Sequence, residues 1–398
     1  MTLLIKNGKI YQNNILIKKN IFIKDNKITK ITNQELKADN IIDAKNKITI
    51  PGLIDGHVHF REPGQTHKED FLTGSMAAAA GGITTVLDMP NTNPPTTNLQ
   101  RLEEKRKLAK KSIVNFGFHF GSTLNNISEI KNVKNIASVK VYMDYTTGDL
   151  KIDNFDVLKK IFSSNKTIAV HGENENILKA LESIKYGNNH VHFCHVSSKE
   201  ELHYATSNIK NSVSVEVCPH HLFLTAKDLN DLGAFGEMKP SLKTIEDGKA
   251  LWEGIYNGKV NTIATDHAPH TKEEKLEINY PYGVPGCETM LPLLLHASNN
   301  QKIELKKIIQ LCCENPAKIF KIKDKGFIKE GFDADLTIID LNLEKEVKND
   351  ELFTKCKWSP FNGWKIKGWP VTTIVNGKII FDNGKINNIA AKEVLYNE

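Results

Sequence analysis

Residues 53–60 read LIDGHVHF, and the way this stretch is folded decides how the rest of the chain is read. Its length, its aliphatic residues and the absence of helical spacing predict a short strand. Side chains on a strand alternate between faces, so Asp55, His57, His59 and, one step further, Arg61 share one face. A strand buried in a barrel normally carries aliphatic residues there. Two imidazoles at this spacing can both reach one divalent ion, and imidazole suits zinc. An isolated His-x-His is weak; the preceding PGLI and the following Glu62-Pro63-Gly64 make this one far more specific.

Working outward, seven more runs have strand character: ITTVLDMP, IVNFGFHF, ASVKVYMD, TIAVHGE, HVHFCHV, VSVEVCP and NTIATDH. Between several of them lie helix-like segments such as NLQRLEEKRKLAKK and NFDVLKKIFSS. Eight strand–helix units over residues 51–325 predict a (β/α)8 TIM barrel in the α/β class. The polar residues cluster at the C-terminal ends of the strands, the face on which barrel enzymes place their active sites.

The two ends of the chain resemble each other. LLIKNGKIY, ILIKKNIFI and KITKI near the start, and DADLTIIDL and VTTIVNGKIIFDNGKI near the finish, are β-rich runs with Asn-Gly turn signals. Residues 1–50 and 326–398 are therefore expected to pair into one small β-sandwich domain, with the barrel inserted between them.

Composition narrows the function classes. The chain has 398 residues, is 40% hydrophobic and 25% charged, as in an ordinary globular enzyme. The net charge of +6 comes from dispersed lysines, without the basic stripe or aromatic platform of a nucleic-acid binder, and leaves an anionic small substrate possible. No run approaches the roughly 20 apolar residues that cross a bilayer. MTLLIKNGKIYQNN lacks signal-peptide character, and six cysteines fall without a framework spacing, so a cytoplasmic protein with reduced thiols is expected.

Further candidates sit at other strand ends: His171 closes TIAVHGE, His195 closes HVHFCHV and Asp266 lies in NTIATDH. Each alone is weak, but four histidines and one aspartate at one barrel mouth nearly suffice for two metal ions if something bridges them. Lys140 in ASVKVYMD is the candidate bridge, since it would point inward together with Tyr142. A buried ammonium beside two cations is costly, and reaction of the neutral amine with carbon dioxide turns it into an anionic carbamate with an oxygen for each metal.

These residues resemble those of the dihydroorotases, within the amidohydrolase superfamily. The resemblance runs over about residues 4–380 and rests on PGLIDGHVHFREPG, THKEDFLTGSMAAAAGGITTVLDMPNTNPPT, CPHHLFL, TDHAPHT and GVPGCETMLPLLL. The chain is most similar to the type that forms the middle domain of the animal multifunctional pyrimidine protein. The resemblance implies reversible, zinc-dependent cyclisation of N-carbamoyl-L-aspartate to L-dihydroorotate. It implies that His57, His59 and Asp266 ligate one Zn2+ and His171 and His195 a second, with N-carboxylated Lys140 bridging and Asp266 as general acid and base. Arg61, Asn91 and His270 match substrate-binding positions, and Lys239 stands where that type has an arginine. Thr146 and Thr147 fall in a loop that folds over the substrate in relatives. Cys194 and Glu216 match positions of an additional metal in some relatives, although by themselves they read as a buried thiol and a strand carboxylate. The resemblance also implies a homodimer, and the pathway it implies suggests association with aspartate transcarbamoylase. Hydantoinase, dihydropyrimidinase or allantoinase activity, and a non-catalytic scaffold, are the competing readings.

Overall fold

The structure is a computed structural model that describes residues 2–145, 150–207 and 212–397. Eight parallel strands lie side by side in sequence order: β1 (Leu53–Val58), β2 (Ile83–Asp88), β3 (Asn115–Gly121), β4 (Ser138–Tyr142), β5 (Ile168–His171), β6 (Val191–Phe193), β7 (Val213–Val217) and β8 (Thr262–Ile263). The sheet closes on itself beyond β8, where His267 bridges Val58 and its carbonyl accepts from the His59 N–H at 2.8 Å. All eight strands predicted from sequence are present. Nearly every residue in them is buried, as strands covered on both faces require.

Helices cover the outside, and capping fixes where several of them start. Asp70 caps Phe71–Ala80, Asn98 caps Leu99–Ala109, Asn154 caps Phe155–Phe162, Ser198 caps Lys199–Thr206 and Thr244 caps Ile245–Tyr256. Each side chain accepts backbone N–H groups that the first helical turn leaves unpaired, worth about 1 kcal/mol per cap. The loops leaving the strands are thereby pinned at their far ends.

The two chain ends share one sheet. Its order is Lys385–Ile386, Lys378–Asp382, Lys365–Val375, Leu336–Glu346, Ile48–Pro51, Lys9–Gln12 and Ile15–Lys18. A second sheet holds Lys27–Thr32, Asn20–Lys24, Thr2–Lys6 and Asn40–Asp43. Leu3, Ile5, Ile21, Ile23 and Ile28 from the smaller sheet pack on Ile10, Leu336, Ile338, Val371 and Ile374 from the larger, which makes a sandwich. The opposite face of the larger sheet gives Tyr11, Ile50, Ile339 and Val375 to the barrel's core. Ile48–Pro51 runs through Gly52 directly into β1, so the sandwich anchors the strand that carries His57. A side chain at Gly52 would lie 2.2 Å from Thr84, so only glycine fits this junction.

Two of the three Asn-Gly signals behave as turns between paired strands: Asn376-Gly377 and Asn383-Gly384 both take positive φ. Asn7-Gly8 does not, because only Asn7 is left-handed and the flanking strands belong to different sheets. A two-residue type I′ hairpin needs positive φ at both positions. All six cysteines are free thiols and buried. Among the described residues, no helix is long and apolar enough to cross a membrane.

Candidate active site at the barrel mouth

The strand ends deliver His57, His59, Lys140, Tyr142, His171, His195 and Asp266 to one cavity, which Arg61, Asn91, Lys239, Ala268, Tyr282 and Gly283 complete. Asp266 Oδ1 lies 3.0 Å from His59 Nε2 and 3.3 Å from His57 Nε2. Two ligand atoms on a tetrahedral zinc stand about 3.3 Å apart, so this trio has the spacing of a first metal shell. His171 Nδ1 and His195 Nε2 converge to 2.8 Å and could share a second cation.

Lys140 lines the same cavity. It is fully buried, its Nζ is 3.0 Å from Cys194 Sγ and it has no carboxylate partner among the described residues. Its charge depresses the imidazoles of both His171 and His195, after the larger effect of burial. A buried ammonium without a carboxylate partner is costly.

The charges of the cavity act on its titratable groups in opposite directions. Burial disfavours a charged His57, yet the Asp266 and Glu216 carboxylates outweigh that and hold its pKa up at about 10. Burial brings His59 down to about 4 despite Asp266. Asp266 stays ionised: burial opposes its charge, and His57 and His59 more than compensate.

The backbone is strained here. Arg61, His195 and Asp266 adopt φ of 61°, 38° and 47°, in the left-handed region that non-glycine residues rarely enter. Three such residues at one cavity mark a site whose geometry is imposed by its surroundings.

Those surroundings are polar. Glu216 accepts from His57 Nδ1 at 2.8 Å and from the His195 N–H at 3.1 Å, and it contacts His192 Nε2 at 3.1 Å. It thereby fixes the ring whose other nitrogen faces Asp266, as carboxylates behind metal-bound histidines do. The donor atoms of His57, Cys194 and Glu216 fall within 4.8 Å of one another, so the additional-metal positions do come together. Asn91 Oδ1 holds His59 Nδ1 at 2.7 Å, a positioning contact that its strand-end location did not disclose. Asp55, read from strand alternation as sharing the face of His57, instead accepts from the Thr265 hydroxyl at 2.6 Å and ties β1 to the segment after β8.

Across the cavity, Arg61 is buried, with Nε donating to the Pro269 carbonyl at 3.1 Å and Nη2 2.9 Å from His270 Nε2. It forms no ion pair among the described residues, and burial lowers its pKa to about 10. His270 is held neutral by burial and by the charges of Arg61 and Lys68. Lys239 reaches the rim, its Nζ 4.6 Å from the centre of the Tyr282 ring. Thr146 and Thr147 lie outside the described residues.

Sequence reasoning assigned no role to Lys68, Tyr282 or Lys275. Lys275 is fully buried and donates to the carbonyls of Glu237, Pro281 and Gly283, clamping the segments that carry Lys239 and Tyr282. Its place five residues after His270, in an acidic stretch, reads in sequence as an exposed helix turn.

Residues 48–380 match the Amidohydrolase family. A dihydroorotase of Methanosarcina acetivorans is 38% identical over 434 residues, covering 96% of this chain and 92% of that protein. A multifunctional protein CAD of Squalus acanthias is 38% identical over 349 residues, covering 85% of this chain and 15% of that protein. Among solved structures, an L-hydantoinase (dihydropyrimidinase) from Arthrobacter aurescens superimposes with a TM-score of 0.93 at 27% identity, covering 99% of each chain.

Proposed function

The chain belongs to the amidohydrolase family, in the group of the dihydroorotases, and on that premise we propose that it interconverts N-carbamoyl-L-aspartate and L-dihydroorotate. The observation that carries this reading is Arg61: a buried guanidinium without an anionic partner among the described residues, opening on a cavity lined by metal-type ligands. Hydantoin and dihydrouracil rings lack a carboxylate and would leave that charge buried and unpaired, at a cost of several kcal/mol. The hydantoinase likeness is therefore read as shared fold and shared metal chemistry.

His57, His59 and Asp266 would hold one Zn2+, His171 and His195 a second, with N-carboxylated Lys140 between them. Carboxylation joins the Lys140 nitrogen to the carbon of carbon dioxide and releases one proton. The bound cations would supply Lewis acidity and a water of lowered pKa. Arg61, Asn91, His270 and Lys239 position the substrate, Arg61 by its fork against the carboxylate. In hydrolysis, Asp266 takes the proton of the attacking water and passes it to the ring nitrogen as the amide bond breaks. In ring closure the ureido nitrogen gives its proton to Asp266, and the side-chain carboxylate leaves an oxygen as water. Closure consumes one proton, so acid favours the ring. The same reading makes the protein a cytoplasmic homodimer, which light scattering checks for the dimer.

The test is to approach equilibrium from each side with zinc-loaded protein. Both directions should reach one ratio, shifted toward L-dihydroorotate as pH falls. No approach from either side would refute the assignment.

A further inference from the structure

One polar group of the cavity has no role in the chemistry above. Tyr142 ends β4 two residues after Lys140, and strand alternation turns both side chains into the barrel. Register sets Tyr142 opposite His171 on β5, with the ring centroids 6.0 Å apart, and Lys140 Nζ lies 5.2 Å from the centre of the phenol ring. The residue is 3% exposed, and its hydroxyl has no hydrogen-bond partner among the described residues. It lines the same cavity as Arg61, Lys140 and Asp266.

A buried phenol hydroxyl without a partner is a poor choice for packing. Phenylalanine would fill the same volume without the cost of stripping water from an O–H group. The hydroxyl makes sense when a ligand supplies the acceptor. The substrate's carboxylate has two oxygens with about four lone-pair sites to satisfy. Arg61 cannot meet them all, because its Nε is committed to the Pro269 carbonyl and a fork of two N–H groups fills only two of the four sites.

We propose that the Tyr142 hydroxyl donates a hydrogen bond to the carboxylate of the bound substrate, beside Arg61, which makes Tyr142 a further substrate-binding and specificity residue. This inference rests on the dihydroorotase reading. It also gives the fold a measurable trade: the hydroxyl is a small liability to the empty protein and an asset to the complex.

Tyr142→Phe removes one oxygen and preserves shape, so the variant should fold. Binding is separated from turnover by placing it in the zinc-loaded Asp266→Asn protein and measuring the Kd of L-dihydroorotate by calorimetry. A hydrogen bond to a charged group sets the expected loss at about 10- to 100-fold in affinity. Zinc content should stay the same, and the melting temperature without ligand should be unchanged or higher. A Kd within threefold of the parent, or a fall in melting temperature in place of a fall in affinity, would overturn the inference and leave the dihydroorotase assignment standing. Failure of wild-type protein to turn over L-dihydroorotate, with no binding by Asp266→Asn protein, would remove both.

Discussion

Replacing Lys105 with methionine tests how the turn between His59 and Arg61 is held. Lys105 comes from the helix Leu99–Ala109, and its Nζ lies 2.5 Å from Asp88 Oδ2 at the end of β2, with both side chains 0% exposed. The same ammonium donates to the Met89 carbonyl at 2.7 Å, and Asp88 Oδ1 accepts from the Phe60 N–H at 2.7 Å. Phe60 lies between a candidate metal ligand and the candidate substrate-binding arginine. Burial pushes Asp88 above and Lys105 below their ordinary values, so each charge depends on the other. Removing one partner of a buried pair costs about 3–5 kcal/mol. With an unfolding entropy of about 2.1 cal/mol/K per residue, a loss of 4 kcal/mol lowers Tm by about 5 °C for a chain this long. The deficit should narrow at low pH, where Asp88 can take a proton. Asp88→Asn added to Lys105→Met should restore most of the loss, since the buried charge is gone and Asn still accepts from Phe60. Thermal and urea unfolding at pH 8 and pH 5 measure all of this. A single variant within about 1 °C of wild type, or a double variant no better than the single, would refute the reasoning.

Other consequences are equally open to measurement. Asp266→Asn should retain most of its zinc by elemental analysis while kcat falls by about 10^2–10^4, the range of a lost proton-transfer group. Glu216→Gln removes the carboxylate behind His57 and should weaken metal affinity by about 10- to 100-fold, read by competition with a chelator. Lys239→Arg restores a planar fork at the rim and should lower KM for L-dihydroorotate severalfold with kcat little changed. Glu288 accepts from the Phe353 and Thr354 N–H groups, and burial lifts its pKa to about 7. Its folded form prefers the proton, so its contribution to stability falls as pH rises from the unfolded value to about 7. Glu288→Gln should therefore stabilise the fold at pH 8 and not at pH 4.5, by at most about 3 kcal/mol and less because the residue keeps some exposure, read as a higher Tm at pH 8 only.

The barrel was legible because its strands are short apolar runs separated by helix-length segments, and the polar residues at their ends stand out against that background. His57, His59, His171, His195 and Asp266 announce themselves as charged or polar groups where aliphatic residues belong. The pairing of the two chain ends was legible from composition, but the path between the sheets was not: Asn7-Gly8 has a hairpin's residues without its dihedrals. The layer behind the ligands was also hidden. Glu216 finds His57 and Asp88 finds Lys105 only once strands and helices far apart in sequence are brought together. Lys275 lacked any local signal of importance, because a lysine in an acidic turn is ordinary there, and Tyr142 was legible only as the inward-facing neighbour of Lys140. Only burial and the state of their hydrogen-bonding groups single them out.

The central claim is that a metal-loaded barrel selects a carboxylated ring through Arg61. The most direct measurement compares turnover of L-dihydroorotate with that of dihydrouracil, hydantoin and allantoin, by zinc-loaded protein and after chelation. The account predicts turnover of L-dihydroorotate alone, lost on chelation and restored by zinc. Preferential turnover of an uncharged ring, or turnover of L-dihydroorotate that survives complete removal of metal, would contradict it.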